Sequence, residues 1–208
     1  MLALAMLAGL YFVFIDGRLI TPYRDSFRNG DRSGWTFYGG SWTTSDGTLD
    51  NLSGARGDKA IVGNRRWSDY VVETDVRLNA DPADSLYGDA GVIIRVTDPA
   101  TGVDSYDGYY AGVGSDGSIL LLGRANYTWV RLASVPLGVE ARRGSWFHLK
   151  VLAKGCYFEA ASEDAATHRR ARLTYFDPDC TKRAGAAGVR TYGLPASWKN
   201  FEVHQAEN

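Results

Sequence analysis

The 208-residue chain contains few of the residues on which metal sites, redox motifs and nucleic-acid binding depend. It has two cysteines, three histidines and no Cys-x-x-Cys pair. Because structural zinc sites need several Cys or His ligands at short spacings, we do not expect one here. The 23 basic and 24 acidic residues leave a net charge of −1. Electrostatic attraction to nucleic acid or to a membrane surface is therefore not expected.

Several functional motifs are also missing. No Ser-His-Asp ordering or nucleophile elbow is present, so the sequence does not support nucleophilic catalysis. The Asp-x-Asp-x-Asp-Gly loop that binds calcium is absent as well. We therefore expect no cofactor, although the loop acids Asp104 and Asp107 remain candidate calcium ligands.

Alternation of apolar and polar residues predicts β-strands through most of the chain, and no helical period follows residue 16. In 70–78, Val72 and Val76 fall on one face, and Glu73 and Asp75 on the other, as a half-buried strand requires. The 24 glycines and the 12% aromatic content suit many short strands joined by tight turns. Similar segments follow at 90–96, 108–113, 117–124 and 144–151.

Regular strand spacing without intervening helices excludes a βαβ architecture. It favours an all-β fold, a two-sheet antiparallel β-sandwich. An immunoglobulin sandwich needs only about 100 residues, so the jelly-roll form is preferred at this length. We expect this domain at 25–208, preceded by a linker at 16–24.

The first 15 residues carry no charged side chain. As a helix they would reach about 22 Å, which is short of a hydrocarbon core about 30 Å thick. We favour an uncleaved membrane anchor over a signal peptide or a buried core segment. Arg18, Arg24 and Arg28 follow the segment and favour a cytoplasmic side. The two cysteines and the candidate binding residues described below instead favour a membrane-anchored or secreted domain outside the cytoplasm. The two predictions of location therefore conflict.

Cys156 and Cys180 are predicted to form a disulfide, with two buried free thiols as the alternative. A bridge between them would stabilise the fold by about 3 kcal/mol in the chain-entropy model. It would also require an oxidising compartment. The cysteines therefore favour a domain outside the cytoplasm.

The order of several segments resembles the concanavalin A-like, or laminin G-like, sandwich family. The matching segments are 35–49, 69–76, 90–95, 109–110, 144–151 and 185–203. They are most similar to the non-catalytic sugar-binding modules of fructan hydrolases and to keto-disaccharide-hydrolase-like domains. The resemblance covers about 25–204 and implies a jelly roll that handles carbohydrate. It implies the fold more firmly than an activity.

Glu73 and Asp75 raise the question of catalysis. Retaining glucanases of this fold carry Glu-x-Asp-x-(x)-Glu on one strand, but the last position here is occupied by Arg77 or Leu78. Glycoside hydrolysis needs a second carboxylate, and a neighbouring arginine lowers a carboxyl pKa when a general acid needs it raised. We therefore lean against an enzyme and expect a salt-bridged sheet face or a ligand contact.

Sugar recognition combines an aromatic platform with a few directed polar groups. Trp129 is the preferred platform. Arg95 is predicted to lie opposite the core face of its strand, where it either contacts the ligand or pairs with Asp75 or Glu73. Of Tyr109 and Tyr110, one is expected in the core and the other at the surface. The candidate ligand-binding residues are Arg95, Trp129, Tyr87, Asp89, Tyr110, Glu73, Asp75 and Tyr192.

The sequence therefore predicts a non-catalytic, extracytoplasmic carbohydrate-binding module. Its partners would be an oligo- or polysaccharide and, through the N-terminal segment, a membrane. The first alternative is a glycoside or keto-disaccharide hydrolase whose carboxylates come from different strands. The second is a structural interaction domain of a cell envelope or filament assembly.

Overall fold

A computed structural model describes residues 22–79 and 88–207 of the chain. These residues form β-strands and turns, and no helix among them is long and apolar enough to cross a membrane. The predicted anchor at 1–15 and the candidate Tyr87 lie outside the described residues. The first strand begins at Tyr23, within the stretch predicted as a linker.

The strands of the described residues follow one another along the chain with short connections. They are β1 (Tyr23–Asp25), β2 (Thr36–Tyr38), β3 (Trp42–Ser45), β4 (Thr48–Asn51), β5 (Arg56–Val62), β6 (Tyr70–Leu78), β7 (Asp89–Thr97), β8 (Asp107–Gly114), β9 (Ile119–Asn126), β10 (Trp129–Pro136), β11 (Trp146–Lys154), β12 (Tyr157–Asp164), β13 (Arg170–Phe176), β14 (Ala186–Tyr192) and β15 (Ala196–Gln205).

Two antiparallel sheets contain these strands. The first sheet has the order β13-β12-β11-β6-β15-β4-β3, with β1 paired to a later part of β15. The second sheet has the order β10-β9-β8-β7-β14-β5-β2. The predicted all-β, two-sheet sandwich is confirmed for the described part of the chain.

The main core lies between the sheets. Val72 and Val76 of β6 face Val92 and Ile94 of β7, and all four are fully buried. Each such side chain contributes about 1.5–3 kcal/mol relative to full exposure. The alternation predicted for β6 is confirmed, because its acidic residues are partly exposed on the other face.

A second apolar cluster covers the outer face of the second sheet. It includes Ile93, Tyr110 and Leu121, and the connection between β7 and β8 lies over it. Tyr106, at the end of that connection, is fully buried in the cluster. The second sheet is therefore covered on both faces around β7, β8 and β9. Both Tyr109 and Tyr110 are consequently fully buried, and the expectation that one reaches the surface is wrong.

Arg95 lies at a β-bulge, which the alternation in the sequence does not reveal. The register between β7 and β8 shifts between Ile94 and Thr97, and the φ angle of Arg95 is 53°. An extra residue in one strand reverses the direction of the side chains that follow it. Arg95 therefore turns inward towards Phe158 of the first sheet, while Val96 joins the outer cluster.

The predicted outward position of Arg95 is wrong, because its side chain has 0% exposure. Its guanidinium pairs with Asp69 at 3.1 Å, so neither Glu73 nor Asp75 is its partner. It also donates hydrogen bonds to the carbonyl oxygens of Ser68, Gly155 and Lys182. Arg95 thus joins β7 to the turn between β11 and β12 and to the segment after β13.

The predicted disulfide between Cys156 and Cys180 is confirmed, with Cα atoms 5.2 Å apart. It closes a loop with a sequence separation of 24. The bridge ties the turn before β12 to the segment after β13. It lies beside the carbonyl oxygens of Gly155 and Lys182 that Arg95 holds.

Candidate functional site

The outer face of the second sheet contains a cavity of about 310 Å³ beside the apolar cluster. Its floor includes Ile119 and Leu121 of β9, and the glycines Gly88 and Gly114 contribute backbone. Ionisable and aromatic side chains surround this floor. They are Asp89, Asp104, Asp116, Trp129, Arg131, Arg190 and Tyr192.

Arg190 of β14 is the central charge of the cavity. Its side chain is only 3% exposed, and its Nη1 lies 3.4 Å from Oδ1 of Asp89, where β7 begins. Its Nη2 lies 2.7 Å from Oδ1 of Asp104 in the connection between β7 and β8. The two carboxylates thus hold one guanidinium from two directions. Pairing with carboxylates is what makes burial of such a cation tolerable.

Three aromatic rings surround the same guanidinium. Its carbon lies 5.0 Å from the ring centroid of Tyr110 and 5.5 Å from those of Trp129 and Tyr192. Each contact is in the range of a cation–π interaction, worth about 0.5–2 kcal/mol. The position of Arg190 is therefore fixed by both its ion pairs and the rings around it.

The electrostatics of the cavity follow from its burial. Burial raises the pKa of the Asp89 carboxyl, against the opposing effect of Arg190. Burial opposes the charge on Arg190, but the surrounding Tyr106, Asp89, Tyr110 and Asp104 raise its pKa above the ordinary value. Arg190 thus remains cationic, and Asp89 is a carboxyl that holds its proton more tightly than usual.

The indole of Trp129 lies directly over Gly123, where the absence of a side chain leaves room for it. A Cβ atom at Gly123 would lie 2.1 Å from the six-membered ring of Trp129, so any larger residue would displace the indole. The indole also contacts Tyr110, with the ring centroids 5.8 Å apart in a T-shaped arrangement. These contacts fix an aromatic plane at the side of the cavity.

Two charged residues at the rim are available to a ligand. Arg131 of β10 and Asp116 of the turn between β8 and β9 are exposed. Within the part of the chain that the structure describes, neither makes a close ion pair or a hydrogen bond, although Arg131 is near enough to Asp89 to oppose the rise in its pKa. The cavity therefore combines a fixed charged centre with an exposed donor group and an exposed acceptor group at its rim.

The structure brings four of the predicted site residues together at this cavity. Asp89, Trp129 and Tyr192 line it, whereas Tyr110 is buried and supports the wall behind Trp129 and Arg190. The residues missed by sequence reasoning are Asp116, Arg131 and Arg190, while Asp104 was considered only as a calcium ligand. Arg190 alternates with the buried Val189 in β14, a pattern that places it on the outer face.

Glu73 and Asp75 lie elsewhere, on the outer face of the first sheet. Oε1 of Glu73 contacts Nζ of Lys150 at 2.8 Å and Nε2 of His204 at 3.0 Å. Asp75 contacts Nδ1 of His148 at 3.0 Å. Although burial acts in the opposite direction, these hydrogen bonds lower the pKa of both carboxyls. The pair therefore belongs to a salt-bridged sheet face on the opposite side of the sandwich from the cavity.

Neither candidate calcium ligand is free in the structure. Asp104 pairs with Arg190, and Asp107 pairs with Nζ of Lys182. Among residues 22–79 and 88–207, no group of three or more His, Cys, Asp or Glu side chains is placed to hold a metal ion.

Solved structures with a similar fold include lectins and glycosyl-hydrolase-like proteins. Lectin II from Ulex europaeus matches 90% of this chain and 99% of its own, with a TM-score of 0.64 and 10% identity. A putative glycosyl hydrolase from Parabacteroides distasonis matches 87% and 92%, with a TM-score of 0.54 and 13% identity. A protein of unknown function from Saccharomyces cerevisiae matches 88% and 100%, with a TM-score of 0.61 and 16% identity.

These similarities show the sandwich fold that lectins and hydrolase-like proteins share. No protein with a curated description matches the chain in sequence. A family model does match it: the model of the 3-keto-alpha-glucoside-1,2-lyase-like domain covers residues 22–204, nearly all of the sandwich. The chain therefore belongs to the 3-keto-alpha-glucoside-1,2-lyase-like domain family.

Proposed function

We propose that the chain is an extracytoplasmic carbohydrate-binding module and that the sugar occupies the cavity on the second sheet. The observation that carries the proposal is the flat indole of Trp129 beside a fixed Asp89–Arg190–Asp104 centre. Apolar C–H faces of sugars stack on such planes, and their hydroxyls need directed polar partners. A volume of about 310 Å³ suits a small ligand.

Each polar group of the cavity has a role in this complex. Arg131 is an exposed donor at the rim, and its guanidinium can donate to two hydroxyl oxygens at once. Asp116 and the remaining lone pairs of Asp89 and Asp104 accept hydrogen bonds from sugar hydroxyls. The buried Arg190 keeps the two inner carboxylates in position before the ligand arrives, so less ordering is needed on binding.

Two further observations support a position outside the cytoplasm. The Cys156–Cys180 disulfide persists in oxidising compartments. The uncharged segment at 1–15 suits an anchor or a signal sequence.

A binding screen tests the proposal. The full chain is titrated by calorimetry with maltose, cellobiose, xylobiose and sucrose, and then as a Trp129→Ala variant. Loss of one stacking plane is expected to weaken binding about tenfold. Trp146→Ala is the matched control, because Trp146 contacts Arg77 and Lys199 on the outer face of the first sheet. Equal loss in both variants, or no loss in the first, would show that the sugar binds elsewhere.

A second candidate function is elimination at a keto-sugar bound in the same cavity. Two carboxyls, one from the start of β7 and one from the connection after it, converge on Arg190, and burial raises the pKa of the first, Asp89. A carboxyl whose pKa is raised holds a proton that it can give to or take back from a bound substrate. The family description names a lyase acting on 3-keto-alpha-glucosides. In such a step a base removes the C2 proton beside the ketone, a double bond forms between C1 and C2, the C1–O bond breaks, and the leaving oxygen takes up a proton.

Release of product distinguishes the lyase from the non-catalytic binding module. A 3-keto-disaccharide is incubated with the chain, and release of the leaving sugar is followed by NMR. Elimination predicts release by the natural chain and loss of release in Asp89→Asn, which keeps the size of the side chain but cannot transfer a proton as a carboxyl does. Binding without release in the natural chain would support the non-catalytic module and remove the lyase.

A further inference from the structure

We propose that Lys59 is a positioning residue for the cavity: it holds the connection between β7 and β8 so that Asp104 reaches Arg190, and its protonation couples ligand binding to pH. The inference deepens the proposed function and rests on it for its effect on sugar affinity. Its structural half, the coupling of Lys59 to the loop, is tested without a ligand.

Lys59 is a fully buried lysine on the outer face of β5. Its register partner on β14 is Arg190 itself. Its Nζ donates hydrogen bonds to the carbonyl oxygens of Ala100 at 2.8 Å and Gly102 at 3.0 Å. It also lies 5.8 Å from the ring centroid of Tyr106. The ammonium thus fastens both ends of a short stretch of loop backbone to the sheet.

The acid that completes the cavity lies shortly after the held stretch. Asp104 comes two positions after Gly102 in the chain, with a φ angle of 51°. Gly57, two positions before Lys59 on β5, allows the loop to lie close, because a Cβ atom there would be 2.7 Å from the Cα atom of Val103. Ala100 further donates its N–H to the carbonyl oxygen of Ser105 at 2.8 Å. Without Lys59, the loop would lose its hydrogen bonds to a side chain of β5.

The surroundings of Lys59 make its charge sensitive to pH near neutrality. Burial and the neighbouring Arg190 lower the pKa of Lys59 to about 8, while Asp58 and Asp104 act in the opposite direction. A neutral amine makes weaker hydrogen bonds to carbonyl oxygens than an ammonium does. The loop is therefore held less firmly as the pH rises through this value. The titratable or charged groups facing Lys59 are Arg190 from β14, Asp58 from its own strand, Tyr38 from β2, and Asp104 and Tyr106 from the loop.

Other groups at the cavity do not produce the same effect. Burial raises the pKa of Tyr106 and Tyr110 far above this range, and the pKa of Arg190 is raised as well. Ionisation of Asp89 with rising pH would strengthen its pair with Arg190, which is the opposite sign. A fall in affinity on the alkaline side therefore identifies Lys59.

The first experiment measures sugar affinity against pH, using whichever of the four disaccharides binds most tightly. Between about pH 7 and about pH 9.5 the natural chain is expected to lose about fivefold or more in affinity. Lys59→Met should bind weakly at both pH values with a flat profile. Lys150→Met, on the outer face of the first sheet, should follow the natural chain. A flat profile in the natural chain, or an unchanged profile in Lys59→Met, overturns the inference.

The second experiment needs neither a ligand nor a variant. The natural chain, with ¹³C-labelled lysine and ¹⁵N-labelled amides, is titrated by NMR. The Lys59 side-chain signal and the amide signals of Gly102, Asp104 and Ser105 are expected to share a midpoint near pH 8. Loop amides that stay unchanged while Lys59 titrates, or a Lys59 midpoint near the ordinary value of about 10.4, overturn it. If none of the sugars binds but the signals move together, the proposed function fails and the role of Lys59 in the loop stands.

Discussion

Replacing Arg95 with methionine is expected to destabilise the sandwich without weakening sugar binding by the molecules that remain folded. The guanidinium is fully buried, pairs with Asp69 and donates to three backbone carbonyls, those of Ser68, Gly155 and Lys182. Methionine has a similar length but no donor. The four acceptors would therefore lose their charged partner at the same time.

The magnitude follows from what is left behind. Breaking a buried ion pair by removing one partner costs about 3–5 kcal/mol. Asp69 is 40% exposed and is rehydrated in part, which places the loss towards the lower end of that range. For a domain of this size each kcal/mol lowers the melting temperature by about 2–4 °C, so a fall of about 6–15 °C is expected.

Urea unfolding followed by tryptophan fluorescence measures the change, and calorimetry with the tightest-binding disaccharide is done well below the melting temperature. The control is Arg24→Met, because Arg24 is 76% exposed in its contact with Glu202 and should change stability by less than about 1 kcal/mol. Unchanged stability of the Arg95→Met variant together with lost sugar affinity would refute the structural role and restore Arg95 as a ligand contact.

Three further predictions test other parts of the structure. Gly123→Ala should displace the indole that lies over it and weaken sugar binding about tenfold with the circular dichroism spectrum unchanged; unaltered affinity would disprove the platform. Replacing Cys156 and Cys180 together with serine should lower the free energy of unfolding by about 3 kcal/mol, measured in urea, and an equal stability would contradict a stabilising bridge. The hydrogen bond to Asp75 raises the pKa of His148 in the folded state. The contact therefore contributes its full stabilisation below the unfolded-state pKa of about 6.5, and this contribution is lost as the pH rises through the higher folded-state pKa. The difference in urea midpoint between the natural chain and His148→Gln should therefore shrink between about pH 6 and about pH 8, and a constant difference would exclude the linkage.

The fold was accessible from local patterns. Strict alternation in 70–78 places Val72 and Val76 in the core and Glu73 and Asp75 on the outer face, as the structure has them. Alternation has this power because successive side chains of a strand point to opposite faces, so burial of one face dictates the residue types on both. The pairing of the two cysteines was predictable for a simpler reason, since each had only one possible partner in the chain.

The site was accessible only in part. Trp129 and Tyr192 could be named because sugar recognition needs aromatic platforms, and Asp89 because it precedes the strand of Arg95. Arg95 was misplaced because a β-bulge adds a residue without changing the composition of the strand.

The sequence by itself determined the class of the fold, the disulfide and the polar outer face of the first sheet, because each depends on neighbours in the chain or on a unique pair. Only the tertiary structure determined which residues meet in the cavity. Arg190 meets Asp104 and Asp89 across sequence separations of 86 and 101 residues. That meeting depends on the order of strands in the second sheet and on how the loop over it is held, and no local pattern of residues encodes either.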